Sequence, residues 1–178
     1  MKFNIGCGHR NFGPDWIHID KANYGHIKSS DIFLKSYEKS SASLIYASHF
    51  IEYFDREEII IILKRWKEIL KNNGIMRIAV PDFKVCAKLY LEGVYPLNRF
   101  LGPLYGRMKI NNEFIFHKTA YDFKSLKKIL KSIGMKNIVK YDWRNTEHHK
   151  FDDHSQAYLP HMDKTNGVLI SLNIECNK

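Results

Sequence analysis

Two short apolar runs, Leu44–Tyr46 and Ile75–Val80, flank a segment in which Ile59, Ile62, Leu63, Trp66, Ile69 and Leu70 recur every three or four residues. That spacing puts all six on one side of a helix and predicts one from Asp55 to about Lys71. Asp55 and Glu58 form a capping-box-like start, and Asn72-Asn73-Gly74 is the stop. A second helix is predicted over Phe123–Ile133, burying Leu126, Ile129, Leu130 and Ile133, with Asp122 as N-cap and Gly134 closing it. Further apolar runs at Phe3–Ile5, Trp16–Ile19, Asn137–Tyr141 and Val168–Ile174, bounded by Gly, Asp or Asn, are strand candidates. Strands alternating with helices imply a mostly parallel sheet covered on both faces, a doubly wound α/β fold.

Such sheets bind ligands beyond the carboxyl ends of their strands, so the residues that follow each run are the candidates for function. After the first run comes Gly6-Cys7-Gly8, two glycines that allow a sharp turn and a close backbone approach to a ligand. The second run ends in Asp20, an acid placed to accept hydrogen bonds from two ribose hydroxyls. Only His9 to Asp15 separate Gly8 from the second run, whereas a helical crossover needs about a dozen residues. The usual first helix is therefore missing or reduced to a turn. With it goes the helix N-terminus on which a dinucleotide phosphate rests, which disfavours NAD or FAD and suits a nucleoside cofactor without phosphate. After Leu44–Tyr46 the chain reads Ala47-Ser48-His49-Phe50-Ile51-Glu52-Tyr53, and His49 and Glu52 can either decorate a connection or face the cofactor.

At 178 residues with 44% hydrophobic content, one domain spanning 1–178 is expected. No run approaches the roughly 18 apolar residues of a membrane span, and Cys7, Cys86 and Cys176 are widely spaced and odd in number. A cytoplasmic protein without disulfides is the expectation. The net charge of +9 is spread along the chain, +4 over residues 1–106 and +5 over 107–178, and much of it is Lys on helix faces. A basic nucleic-acid-binding module is the weaker reading, because no recognisable binding signature accompanies the charge.

Residues 141–167 hold a long stretch without helical or strand period, the expected lid or binding loop of a small domain. Trp143, Phe151 and Tyr158 suit apolar sugar faces, and Asp, Gln, Asn and His suit hydroxyls; Arg144, Lys150 and Lys164 suit a phosphate. Trp143, Arg144, His148, His154, Gln156, Tyr158 and His161 are the substrate-binding candidates. His148, His149, Asp152, Asp153, His154 and His161 also admit a metal-assisted transferase or hydrolase, although their spacing matches no standard zinc motif and no metal is assigned.

Asn-Ile-Gly-Cys-Gly at 4–8, Trp-Ile-His-Ile-Asp at 16–20, Leu-Ile-Tyr-Ala-Ser-His at 44–49 and Gly-Ile-Met-Arg-Ile-Ala-Val-Pro-Asp at 74–82 resemble the motif series of class I S-adenosylmethionine-dependent methyltransferases. The chain is particularly similar to the compact group associated with surface-polysaccharide and sugar modification. The resemblance implies a Rossmann-like, seven-stranded, mostly parallel sheet with the last strand antiparallel. It implies S-adenosylmethionine as cofactor, with Gly6, Cys7 and Gly8 at its methionine portion, Asp20 at the ribose, Asp31 near the adenine, and Ala47, Ser48 and His49 beside it. The implied reaction is O-methylation of a sugar, a glycan precursor or a nucleotide-linked intermediate. Removal of the acceptor's proton requires a base near neutral pH. His117, shortly before the capped helix, is the first candidate, followed by His149 and Asp152 in the acceptor segment.

Overall fold

A computed structural model describes residues 1–110 and 112–178. In chain order its strands are β1 (Lys2–Ile5), β2 (Trp16–Ile19), β3 (Ile27–Ser29), β4 (Ala42–Ser48), β5 (Leu70–Pro81), β6 (Met108–Ile110), β7 (Glu113–Ile115), β8 (Lys136–Lys140), β9 (Tyr158–Leu159), β10 (Val168–Leu169) and β11 (Ser171–Asn177). Its helices are α1 (Glu58–Ile69), α2 (Phe83–Leu91), α3 (Leu101–Tyr105) and α4 (Phe123–Ser132). Seven strands form one sheet in the order β3-β2-β1-β4-β5-β11-β8, and β6-β7 and β9-β10 are separate two-stranded pairs. Strands β1 to β5 run parallel, and β11 is antiparallel to both of its neighbours.

The predicted helices form with shifted ends. Asp55 accepts from the amides of Glu57 and Glu58 through Oδ1, both at 2.8 Å, and α1 buries Ile59, Ile62, Leu63, Trp66 and Ile69. It stops at Ile69 because Leu70 already pairs with Ala42, so Asn72-Asn73-Gly74 lies inside the irregular start of β5 rather than in a loop. At α4 Asp122 and Ser125 cap each other reciprocally, and Gly134 takes φ +79° just beyond the end. Helix α2 escaped the periodicity reading; Asp82 caps it by accepting from Lys84 and Val85. The Val168–Ile174 run divides into β10 and a longer β11 that reaches Asn177.

Alternation along the strands splits the sheet into two unlike faces. Phe3, Ile5, Ile19, Ile45, Ala47, Met76, Ile78, Val80, Leu172 and Ile174 join the buried residues of α1 and α4 in one apolar core. The other face presents Asn4, Trp16, His18, Leu44, Tyr46 and Asn173, all buried. Its own cluster consists of Phe12, Trp16, Leu44 and Tyr46 with Ile75 packed against it, and no helix contributes to it. The helices of the main core, α1 and α4, lie on one face, and the connections at 6–15, 20–26 and 30–41 contain no helix to cover the Phe12 cluster. The missing first helix is the extreme case of this economy.

Residues 146–156 supply the second cover instead. His148 stacks on Phe12 at 5.3 Å and lies 4.3 Å from the Tyr46 ring. The Tyr46 hydroxyl donates to Asp153 at 2.5 Å, Asn173 donates to the Ser155 carbonyl at 2.8 Å, and Arg77 pairs with Glu147 and Glu175. The aperiodic segment supplies partners for Tyr46, Arg77 and Asn173, which an apolar helix stripe would leave unpaired.

Candidate functional site

At the carboxyl edge β1 runs into Gly6, whose φ of +71° and contact with the Phe50 ring leave no room for a Cβ. Gly8, at φ +55°, faces open space. The Gly8 amide donates to Asp20 Oδ2 at 2.7 Å and the Ala22 amide to Oδ1 at 2.8 Å. One carboxylate thereby clamps the loop after β1 to the loop after β2, while each oxygen keeps a lone pair for an incoming hydroxyl. Cys7 is buried, its thiol pushed up to about 12 mainly by desolvation, with Asp20 adding to the shift, so it packs as a neutral thiol rather than acting as a nucleophile.

Across the edge β4 ends in Ser48, whose buried hydroxyl has no protein partner. His49 follows in the left-handed region at φ +48°, its amide held by the Ala79 carbonyl at 2.8 Å. Its Nε2 meets Ser171 Oγ at 3.2 Å, and that hydroxyl donates onward to Asn173 at 2.9 Å. Ala47 points into the apolar core, so only its backbone faces this edge. The Asp31 carboxylate is engaged locally, accepting from the amides of Phe33 and Lys35 at 3.0 and 2.7 Å.

Glu52 stands in the turn Ile51–Tyr53 after His49 and is 1% exposed, with neither carboxylate oxygen hydrogen-bonded within the protein. His49 Nδ1 and His117 Nε2 each lie 3.8 Å from its Oε1. Burial pushes its pKa up to about 8 and holds both histidines below the ordinary range, His49 most strongly. His117 is braced by its Nδ1 on the Pro103 carbonyl at 3.1 Å, and its ring fills the space a Cβ on Gly106 would need. The amide of Lys118 donates to the Glu52 carbonyl at 2.8 Å, strapping the approach to α4 onto this turn. The sequence signal for Glu52 was a lone carboxylate among Phe50, Ile51, Tyr53 and Phe54.

The remaining candidates divide. His154 reaches the edge, its ring 5.2 Å from that of His49, and the Asp152 carbonyl accepts from Arg10 Nε at 2.8 Å, tying the second cover to the glycine loop. The Asp152 side chain is exposed and paired with Lys164 at 2.9 Å. His149, also exposed, uses Nδ1 on the Thr146 carbonyl at 2.7 Å. His148 and Gln156 are buried within the cover; the Gln156 amide donates to the carbonyls of His149 and Phe151. Trp143 donates to the Tyr158 hydroxyl at 3.3 Å, Arg144 forks onto Asp142, and His161 is exposed. Among the described residues no group of three or more His, Cys, Asp or Glu is arranged to hold a metal ion. No helix among them is long and apolar enough to cross a membrane.

No protein-family model and no curated protein sequence matches the chain. Solved structures do. A SAM-dependent methyltransferase from Archaeoglobus fulgidus superposes with TM-score 0.58 at 16% identity, over 99% of this chain and 85% of that one. The chain has the class I methyltransferase fold. A SAM-dependent methyltransferase from Methanosarcina mazei gives 0.57 at 15% identity, over 99% and 91% of the two chains. The Burkholderia thailandensis 1,6-didemethyltoxoflavin-N1-methyltransferase, solved with its substrate and S-adenosylhomocysteine, gives 0.54 at 10% identity, over 99% and 69%. Within this methyltransferase fold the antiparallel β11 between β5 and β8 is the expected final strand, and Gly6–Gly8, Asp20 and Ser48-His49 share the carboxyl edge of adjoining strands.

Proposed function

We propose that the chain is an S-adenosylmethionine-dependent methyltransferase. The observation that carries the reading is the Asp20 clamp: a carboxylate at the end of β2 holding the Gly8 amide at 2.7 Å, on this fold, with the partnerless Ser48 hydroxyl on the same edge. These residues fit the cofactor. The glycine loop would take the methionine portion, Asp20 the ribose hydroxyls, and Ser48 the amino-acid end; Asp31, beyond β3, would lie on the adenine side. The bound cofactor would supply an electrophilic methyl group on a sulfonium, and the chain's own task is to orient an acceptor oxygen in line with it and accept its proton.

The acceptor we favour is a hydroxyl of a sugar, glycan precursor or nucleotide-linked intermediate, as in surface-polysaccharide biosynthesis. The support is chemical: Trp143, Tyr158, His154 and His161 mix ring faces with hydrogen-bonding groups, and Lys150 and Lys164 suit phosphate. His149 and Asp152 are kept as alternative bases on that side.

The test is direct. S-adenosylhomocysteine should raise the melting temperature and NAD should not. Asp20→Ala should weaken cofactor binding by about 1–3 kcal/mol in calorimetric titration while the protein stays folded. An unchanged dissociation constant in the folded variant refutes the assignment. A mass-shift screen of nucleotide-linked sugars, sugar phosphates and polysaccharide fragments with labelled cofactor then reads the acceptor.

A further inference from the structure

The surroundings of Glu52 contain more acceptors than donors. Ser171 gives its hydroxyl proton to Asn173, so it accepts from His49 Nε2–H, and His49 Nδ1 is left as a bare lone pair facing Glu52. His117 donates Nδ1–H to the Pro103 carbonyl, which leaves Nε2 as a second bare lone pair facing the same oxygen. Two imidazole nitrogens and a carboxyl group thus converge on one buried spot, and neither imidazole brings a proton to it. A buried carboxylate without a hydrogen-bond partner is costly to desolvate, and such groups mark candidate sites of proton transfer.

A small cleft of about 10 Å³, room for one water, borders the spot. Glu52 lines it together with Pro81, Phe83, Pro103, Leu104 and Tyr121, between the end of β5, the start of α2 and α3. The buried Tyr121 hydroxyl there also lacks a partner. Phe50, two residues before Glu52, lies against Gly6, which ties this turn to the glycine loop.

Resting on the methyltransferase reading, we propose that Glu52 is the catalytic base, with His49 and His117 as the residues that position it. The acceptor oxygen attacks the methyl carbon, the new C–O bond forms as C–S breaks, and the sulfur keeps the bonding pair as a neutral thioether. The acceptor's proton passes, across the one water that the cleft admits, to the Glu52 carboxylate and leaves through His117 or His49. The groups facing Glu52 are these two imidazoles, the Tyr53 and Tyr121 hydroxyls and the Cys86 thiol of the cleft; the Lys118 ammonium pairs instead with Glu58. Burial raises the carboxylate toward 8, so the base is mostly protonated at neutral pH and becomes active as pH rises.

The experiment has two arms. Infrared difference spectra, wild type minus Glu52→Gln, are recorded without ligand from pH 5 to 9.5; a carboxylic-acid carbonyl band that disappears near pH 8 is expected, and a carboxylate already present at pH 5 overturns the proposal. Turnover is read as S-adenosylhomocysteine formed with the panel of nucleotide-linked sugars, sugar phosphates and polysaccharide fragments. Wild-type kcat/KM should climb about tenfold per pH unit below pH 8 and then level. Glu52→Gln should bind the cofactor normally and turn over at least about 100-fold slower, and His117→Asn should shift the rising limb. A flat profile from pH 7 to 9, an active Glu52→Gln, or activity lost to a chelator and restored by a divalent cation overturns the proposal. If Glu52→Gln does not fold, Glu52→Asp, which withdraws the carboxylate by one methylene, takes its place. Absence of cofactor binding in wild type refutes the methyltransferase reading, while the infrared arm still reports on Glu52.

Discussion

The two faces of the sheet are built on different principles. On the face covered by α1 and α4 the contacts are apolar and periodic, and no histidine belongs to the core. On the other, Phe12 and residues 146–156 make a cover of stacked rings and single hydrogen bonds, with His18 and His148 buried inside it. A periodic apolar face gains stability from area alone, without regard to pH. A polar face gains it only where each buried group finds its partner, and it inherits the titration of those groups.

The comparison is broken most severely on the helical face. Trp66→Ala removes the largest fully buried side chain and its hydrogen bond to the Ile32 carbonyl at 2.7 Å, and should cost about 3–5 kcal/mol in chemical denaturation. A loss below 1 kcal/mol would mean that α1 is not the principal cover.

Acid should separate the faces next. Burial holds both His18 and His148 down at about 4, against 6.5 unfolded; His26 and Lys28 add to it at His18, while Asp153 partly opposes it at His148. Between those values the unfolded chain binds protons that the folded chain does not. Stability from this source is therefore complete above pH 6.5 and is lost as pH falls toward 4, by up to about 3 kcal/mol for each histidine. His148→Phe keeps the ring stack on Phe12 and removes two partnerless ring nitrogens. It should flatten that part of the slope in melting curves from pH 7 to 4, and a slope identical to wild type would show that His148 is not buried in solution.

The smallest effect sharpens the comparison. Tyr46→Phe deletes one hydroxyl and leaves the buried Asp153 carboxylate with the Ser155 amide as its remaining donor. A loss of about 1–2 kcal/mol is expected, with amide exchange accelerated in residues 146–156 and unchanged in α1. Equal acceleration in both would make the two covers one cooperative unit.

Legibility in the sequence followed the same division. The three-four spacing of α1 and the Asp122 and Gly134 signals of α4 are local, and their errors were of end position only. Strand β3 and helix α2 escaped notice, the first because Ile27–Ser29 is a three-residue edge strand, the second because α2 buries only Cys86 and Leu89. At the candidate site Gly6, Gly8 and Asp20 were readable because turn geometry and strand ends have local signatures, and their placement on one edge follows from parallel topology. The Glu52 cluster was not readable as such. It depends on Gly106 admitting the His117 ring and on Ser171 orienting His49, contacts that no spacing rule encodes.

What the sequence determined by itself was the alternation of the main strands with α1 and α4, the apolar face and the absence of a first helix, each a matter of near-neighbour periodicity or of a connection too short for a helical crossover. What only the tertiary structure decided was the placement of the aperiodic segment: residues 146–156, part of the 141–167 stretch expected to bind an acceptor, spend His148, Asp153, Ser155 and Gln156 on covering the sheet and leave His154 and the Asp152 backbone at the carboxyl edge. The physical reason is reach. Tyr46 and Asp153 are 107 residues apart and Asn173 and Ser155 are 18 apart, so a buried polar group's partner is chosen by the finished fold and leaves no repeat in the chain.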